Sequence, residues 1–386
     1  MSVERIPALD GLRGVAVLLV MLYHANLLAS GWVGVQLFFV LSGFLITRVL
    51  LQAQSQANAG TSAARASLHF YLRRALRIFP AYFLYLLAGL ALAAVSPWGL
   101  STDAPGFWPA MIFVYNWYRA WAPGADLRWL DHLWSLSVEE QLYLLWPLLI
   151  LGLRGRWRLC ALTALFLIAA AWRGLVGAGA LPGLHPAAGA YAASILSPSH
   201  LDAAAAGALV CLWAPWLQQR RHLGVAALTI GALALFAGMA ANGWGVAPVR
   251  SHGAWLTLGW PNSLPTAAQY VWGYSLLNLA LAALLAWLVL RVPALPLLSS
   301  RVLRRVGLIS YAAYLWHYPL AHALSPLVFR IAEASGWPLE ACLLIWFPGY
   351  ALVVFLIAAA SYRIVERPCL SYARRWAAAP PATESK

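Results

Sequence analysis

Residues 7–50 read PALDGLRGVAVLLVMLYHANLLASGWVGVQLFFVLSGFLITRVL. Two apolar runs, 12–28 and 33–50, are separated by Ala29-Ser30-Gly31-Trp32. Each has about the length that crosses a bilayer core of roughly 30 Å as a helix. Inside lipid only a helix or a closed barrel satisfies every backbone N–H and C=O, so the two runs are expected to form a membrane hairpin. Arg5 and Arg13, followed by an apolar run and by Ala29, Ser30 and Gly31, imitate a cleavable leader. His24 in the far half of that run, and a second run starting at once, favour a retained hairpin.

The same pattern continues at 78–95, 138–153, 159–178, 201–217, 223–241, 270–290, 306–328 and 341–360, which brings the expected total to about ten spans. Composition agrees: 62% hydrophobic and 10% charged residues, where soluble chains carry about 45–50% and about 25%. The expected fold class is all-α, a polytopic transmembrane helical bundle. One integral membrane domain is expected over 1–375, with a short tail at 376–386. The stretch 107–118 is apolar but too short to cross comfortably and is expected to be an interfacial or re-entrant piece on the outer face. The Ala-, Gln- and Ser-rich stretch 52–67 is expected to lack fixed structure until Ser67 begins the next helix, and 380–386 to be disordered.

The net charge of +14 sits in short clusters between apolar runs. That is the inside-positive pattern, not a basic stripe for nucleic acid, so nucleic acid is excluded as a partner. With the N-terminus in the cytoplasm, twenty-one of the 26 Lys and Arg fall inside, leaving Arg119, Arg128, Arg173, Arg250 and Arg330 outside. Both termini are therefore expected in the cytoplasm. Cys160, Cys211, Cys342 and Cys369 share no motif spacing and are expected to be buried, unpaired thiols. No metal site and no permanently bound cofactor are expected, and no serine-nucleophile elbow, zinc-protease or phosphate-loop motif is present.

Ionisable groups within spans mark candidate sites. Arg13 and His24 are eleven residues apart, about three turns and about 16 Å along one helix face. A guanidinium near one surface and an imidazole deep in the bilayer suit a donor with an anionic head and a long thin arm. Arg13 as a topology anchor and His24 as a helix-to-helix hydrogen-bonder are the bland alternatives. Arg73, Arg74 and Arg77 could hold phosphates or simply flank a span, Arg73 and Arg77 sharing a face. Glu139 and Glu140 follow Ser137 with capping-box spacing for Ser137 and Glu140, and with His132 nearby they could orient a sugar hydroxyl. His317 precedes Pro319 and reads equally as a structural or a catalytic histidine. Glu366 and Arg367 read as a surface pair of little worth. Ser42, in mid-membrane, is expected to bond its own helix and is not nominated as a nucleophile.

These residues resemble the membrane acyltransferase-3 family, whose members O-acylate surface polysaccharides and similar glycans. The likeness rests on Leu9-Asp10-Gly11-Leu12-Arg13-Gly14 leading to His24, on Gly34 to Thr47, and on Phe70-Tyr71-Leu72-Arg73-Arg74 through Arg77-Ile78-Phe79-Pro80. It extends over Trp134 to Tyr143, Tyr311 to Pro319 and Glu366-Arg367-Pro368. The resemblance implies ten helices, His24 as the essential histidine, Arg13 as its partner and Arg74 and Arg77 as donor-binding positions, with Asp10 in the first motif. Gln36 stands where many relatives carry an acid. The chain is similar to stand-alone members that lack an appended extracytoplasmic domain.

The expected reaction moves an acyl group, acetyl foremost, from cytoplasmic acyl-CoA as co-substrate to a hydroxyl of a carbohydrate acceptor. His24 acts as general base or transient acyl carrier. The expected setting is a bacterial inner membrane, with membrane lipid around the chain. A transporter of a glycan or lipid-linked substrate is the alternative, for which buried Arg and His would line a path.

Overall fold

The computed structural model describes residues 6–58, 63–95, 99–122, 129–185, 188–220, 222–245, 269–290 and 296–378. Among these residues every regular element is helical. In chain order they are α1 (Pro7–His24), α2 (Val33–Asn58), α3 (Ala63–Ala93), α4 (Phe107–Met111), α5 (Tyr115–Trp121), α6 (Leu133–Gly152), α7 (Gly155–Gly177) and α8 (Gly189–Ile195). A single 3₁₀ turn (Ser197–His200) leads into α9 (Leu201–Gln218), followed by α10 (His222–Gly245), α11 (Gln269–Val289), α12 (Arg301–Leu308), α13 (Ser310–Ser335) and α14 (Leu339–Ser361). A π-helical turn (Tyr362–Glu366) joins α14 to α15 (Arg367–Ala378).

The ten expected spans coincide with α1, α2, α3, α6, α7, α9, α10, α11, α13 and α14, each of 18 residues or more. Among the described residues seven helices are long and apolar enough to cross a membrane by length and composition. The exceptions have physical reasons: α6 carries Glu139, Glu140 and Gln141, α13 carries His317 and His322, and the described apolar stretch of α10 is Leu228–Ala237. Leu144, Leu148, Leu167, Ile230, Leu344, Leu352 and Leu356 lie exposed along their helices. Such rows are what a lipid-facing surface requires and what water would penalise. The chain is a multi-pass helical membrane bundle.

Several local expectations are corrected. Residues 52–58 continue α2 and 63–67 begin α3, so the stretch read as unstructured is helical apart from 59–62, which lie outside the described residues. Alanine and glutamine are strong helix formers, and their low hydrophobicity does not prevent a helix from running past the bilayer. The span expected at 306–328 is broken into α12 and α13, with the Ser300 hydroxyl accepting from Leu303 N at 3.3 Å to cap α12. Residues 107–118 hold two short helices joined at Phe113, whose φ is 56°. Of the cysteines only Cys342 is buried; Cys160 is exposed and the other two are intermediate. The tail at 380–386 lies outside the described residues.

Helix α1 packs against α2, α12 and α13. Pro7 sits at its first position, where a missing N–H costs nothing, and Asn26 ends the helical path with φ 58°. Its N-terminal half lies hard against α12. A Cβ on Gly11 would strike the backbone carbonyl of Leu298, and one on Gly307 would strike that of Asp10. Small residues let the two backbones approach where lipid provides no hydrophobic drive. Helix α2 also packs on α9, and α13 on α14.

A buried polar centre ties α7, α9 and α11 together. Arg173 and Asp202, both 0% exposed, pair at 3.0 Å. Ser275 donates to Asp202 at 2.6 Å and Asn278 donates to it at 3.0 Å, while Arg173 also donates to the Val271 and Ser199 carbonyls. Arg173, counted from the sequence among the outer flanking charges, is instead part of this core.

Candidate active site

Arg13 lies nearly two turns into α1 and Arg74 and Arg77 lie on α3, where their three-residue spacing turns both toward the same space. All three line one cavity with Glu139 and Tyr143 of α6 and Ser42 of α2. The cavity holds about 650 Å³ of non-protein volume, open surroundings included, and its remaining wall is largely apolar: Phe38, Phe39, Leu41 and Ile78 among others. Glu139 is held firmly. Ser42 donates to its Oε1 at 2.5 Å, and the Tyr143 hydroxyl donates to the same oxygen. The Arg74 guanidinium sits 4.8 Å from the centre of the Tyr143 ring. Arg13 Nε is buried without a hydrogen-bond partner among the described residues, the kind of unspent donor a bound anion would take up.

Arg73 is exposed and does not line this cavity. The four-residue spacing that paired it with Arg77 is correct for a helix, but the cavity faces the Arg74, Arg77 and Ile78 side. Glu140 also stays out of the lining, its charge acting on Tyr82 and Tyr311. The capping-box reading is corrected as well: α6 begins at Leu133, so Ser137 lies inside the helix and donates to the Leu133 carbonyl at 3.1 Å. Asp10 occupies the first turn of α1, where an acid is favoured by the exposed N–H groups, and lines neither this cavity nor the one around His24. Gln36 bonds His200 at 3.2 Å.

His24 closes α1 and lines a second cavity with His132, Asp131, Trp134, Tyr191 and Tyr318. Its ring lies 5.1 Å from that of His317 and 4.8 Å, edge-on, from that of Tyr318. His317 is fully buried and its Nδ1 lies 2.5 Å from the Tyr314 carbonyl, which makes Nδ1 the protonated nitrogen and leaves Nε2 an acceptor without a partner. His132 stacks on Tyr318 at 5.1 Å with 21° between the planes. Beside them Asp131 accepts from Arg119 Nε at 2.5 Å. Burial works against the Arg119 charge, yet the hydrogen bond and charge of Asp131 more than offset it and hold its pKa above the usual value.

The two cavities are separate but adjoining, with Val35 and Tyr314 common to both linings. The Tyr314 hydroxyl is within 2.5 Å of Ser135 Oγ and donates to the His132 carbonyl at 3.3 Å. Arg13 and His24 therefore do not line one open passage as their common helix face suggested; a tyrosine wall stands between them.

Sequence reasoning missed four participants. Ser42 reaches across to α6 and does not bond its own helix. Tyr143 follows Glu139 by one turn, a spacing that could have been noticed. Asp131 had no motif around it. Glu366, read as half of a surface pair, is 3% exposed, has a buried oxygen without a partner, and its charge acts on Arg77 and Arg13. The π-helical turn that ends at Glu366 draws it inward, and nothing in local sequence announces that turn.

The profile of an acyltransferase domain, that of the acyltransferase-3 family, matches residues 6–364. The chain belongs to that family. It is 27% identical over 95% of its length to the peptidoglycan O-acetyltransferase OatA of Listeria monocytogenes, covering 56% of that protein. It is 29% identical over 94% of its length to YrhL of Bacillus subtilis, provisionally named a peptidoglycan O-acetyltransferase, covering 54% of that protein. A provisionally named O-acetyltransferase of Staphylococcus aureus is 35% identical over 38% of this chain and 25% of its own length. The chain thus spans about half the length of the first two relatives. No solved structure matches it.

Proposed function

We propose that this protein is a membrane O-acyltransferase that moves an acyl group, acetyl foremost, from cytoplasmic acyl-CoA to a hydroxyl of a glycan acceptor. In this reading it sits in a bacterial inner membrane with both termini in the cytoplasm. The observation that carries the reading is the convergence of Arg13, Arg74 and Arg77 on one cavity that abuts the cavity of His24. Three guanidiniums lined up with one carboxylate leave an excess of positive charge that suits the phosphates of a nucleotide donor. The naming of OatA, and provisionally of YrhL, as peptidoglycan O-acetyltransferases supports a cell-wall glycan as acceptor class.

The thioester arm would cross the wall at Tyr314. Turning that side chain away sacrifices its two hydrogen bonds, about 0.5–1.5 kcal/mol each in net terms, which a bound donor can offset. His24 then takes the proton of the acceptor hydroxyl as its oxygen attacks the thioester carbonyl; the C–S bond breaks and the CoA sulfur leaves with the proton returned from the imidazole. His317, whose Nε2 is bare because Nδ1 is spent on Tyr314, is the neighbour suited to orient the His24 ring. In the covalent variant the His24 ring itself carries the acyl group between donor and acceptor. The test is release of CoA thiol from acetyl-CoA by the full chain in reconstituted vesicles supplied with glycan acceptors. Thiol release that depends on acceptor is expected, and acceptor movement without it would replace this reading by that of a carrier.

A further inference from the structure

We propose that α12 and the turn before it form a docking surface for the phosphate headgroups of anionic phospholipid, and that lipid held there steadies the lining of the Arg13 cavity. The docking surface stands on its own observations. Its effect on acyl transfer rests on the reading of that cavity as the donor site.

Helix α12 reads RVLRRVGL, three arginines in eight residues. At about 3.6 residues per turn Arg301, Val302, Arg305 and Leu308 fall within an arc of about 120°, and all four are exposed. Leu303, Val306 and Gly307 occupy the opposite side, where the first two pack against the core and Gly307 is buried. Arg304 lies at the edge of the outward face, half-buried, and its Nε has no partner among the described residues. The outward face is thus cationic and apolar at once: Val302 is 70% exposed and Leu297, in the preceding turn, 66%. Water penalises those two side chains, and hydrocarbon penalises the arginines. The headgroup layer meets both needs, because aliphatic groups enter the acyl boundary while guanidiniums stay among the phosphates. No carboxylate lies between Leu297 and Leu308 to neutralise the arginines, so the surface fits lipids of net negative charge and not zwitterionic ones.

Helix α12 is joined to two walls of the Arg13 cavity. Its backbone and that of α1 meet at three glycines: a Cβ on Gly11 would strike the Leu298 carbonyl, on Gly14 the Leu303 carbonyl, and on Gly307 the Asp10 carbonyl. Arg13 lies between the first two of these glycines. Only Ile309 separates α12 from α13, whose Ser310, Tyr311 and Tyr314 line the same cavity. Close-packed backbones transmit strain to one another, so a displacement of α12 carries Arg13 and the α13 wall with it. Lipid on the outward face raises the fraction of chains whose lining is in place, and apparent donor affinity rises with that fraction.

The test places the full chain in phosphatidylcholine bilayers with and without phosphatidylglycerol. It compares the wild type, the double variant Arg301→Gln with Arg305→Gln, and Arg330→Gln as an exposed arginine elsewhere. Glutamine removes the charge and keeps helix propensity. Native mass spectrometry of mixed nanodiscs should find phosphatidylglycerol retained over phosphatidylcholine by the wild type and by Arg330→Gln. The double variant should weaken that retention by about 10- to 30-fold, about fivefold for each arginine. In vesicles, phosphatidylglycerol should lower the KM for acetyl-CoA, read from thiol release, about threefold or more in the wild type relative to the double variant. In phosphatidylcholine alone the two KM values should agree. No preference for phosphatidylglycerol, or an equal loss in Arg330→Gln, would overturn the surface. A higher KM for the double variant in phosphatidylcholine alone would overturn it in favour of arginines that hold the donor's own phosphates. Selective retention with the same KM response in both chains would overturn the link to the cavity. Selective retention with no thiol release from any chain would leave the surface standing and remove the acyl transfer.

Discussion

The two ends of α1 line cavities of opposite chemistry. At the Arg13 end three guanidiniums share a largely apolar cavity with Glu139, and Arg13 Nε has no partner among the described residues. At the His24 end the lining is aromatic and imidazole, with a single carboxylate already matched by an arginine behind the wall. One helix thus supplies a charged group to the first cavity and a neutral, proton-accepting group to the second, with Tyr314 between. The difference teaches that the two halves of the proposed reaction make opposite demands: phosphates need fixed positive charge, whereas proton removal needs an imidazole kept uncharged by its surroundings.

The largest effect should come from the histidine end. His24→Ala is expected to slow acceptor-dependent thiol release by about 10²- to 10⁴-fold, the usual contribution of a general base. A wild-type rate in that variant, read in the same vesicles, would end the distinction between the two cavities. A change at a buried pair that lines neither cavity should act mainly on stability. Asp202→Ala leaves Arg173 charged and unpaired in a core where both are 0% exposed, and should cost about 3–5 kcal/mol. A drop in the melting temperature of the purified chain checks it, and an unchanged midpoint would contradict the burial of that pair.

At the arginine end, Arg77→Ala should raise the KM for acetyl-CoA by about 10- to 100-fold with kcat largely kept, since a hydrogen bond to a charged group is worth about 1.5–3 kcal/mol. Arg77→Lys should recover part of the loss, because the charge returns without the forked geometry. If kcat falls and KM does not, the arginines serve the transition state and the comparison must be redrawn. The smallest effect belongs to Arg73→Ala, expected to change KM less than about twofold because an exposed charge is screened by solvent. A large loss there would mean that the nucleotide binds outside the cavity of Arg13.

Much of this architecture was legible in the chain itself. The ten long helices follow from the apolar windows because lipid forces each polypeptide span to satisfy its own backbone, a requirement written in local composition. Arg13, His24 and Glu139 stood out because ionisable groups are rare in such windows, Arg74 and Arg77 as a basic cluster at the entrance of one, and all five line one cavity or the other. What depends on contacts between distant helices was not legible. The Ser42 bond to Glu139 joins positions 97 apart, and Tyr314 meets Ser135 across 179. Periodicity states which face a residue occupies, not which helix that face meets. So the wall that divides the two cavities, the inward turn of Glu366, the exposure of Arg73 and the pairing of Arg173 with Asp202 were decided only by tertiary packing, where close backbone contacts such as Gly307 on Asp10 set which side chains share a space.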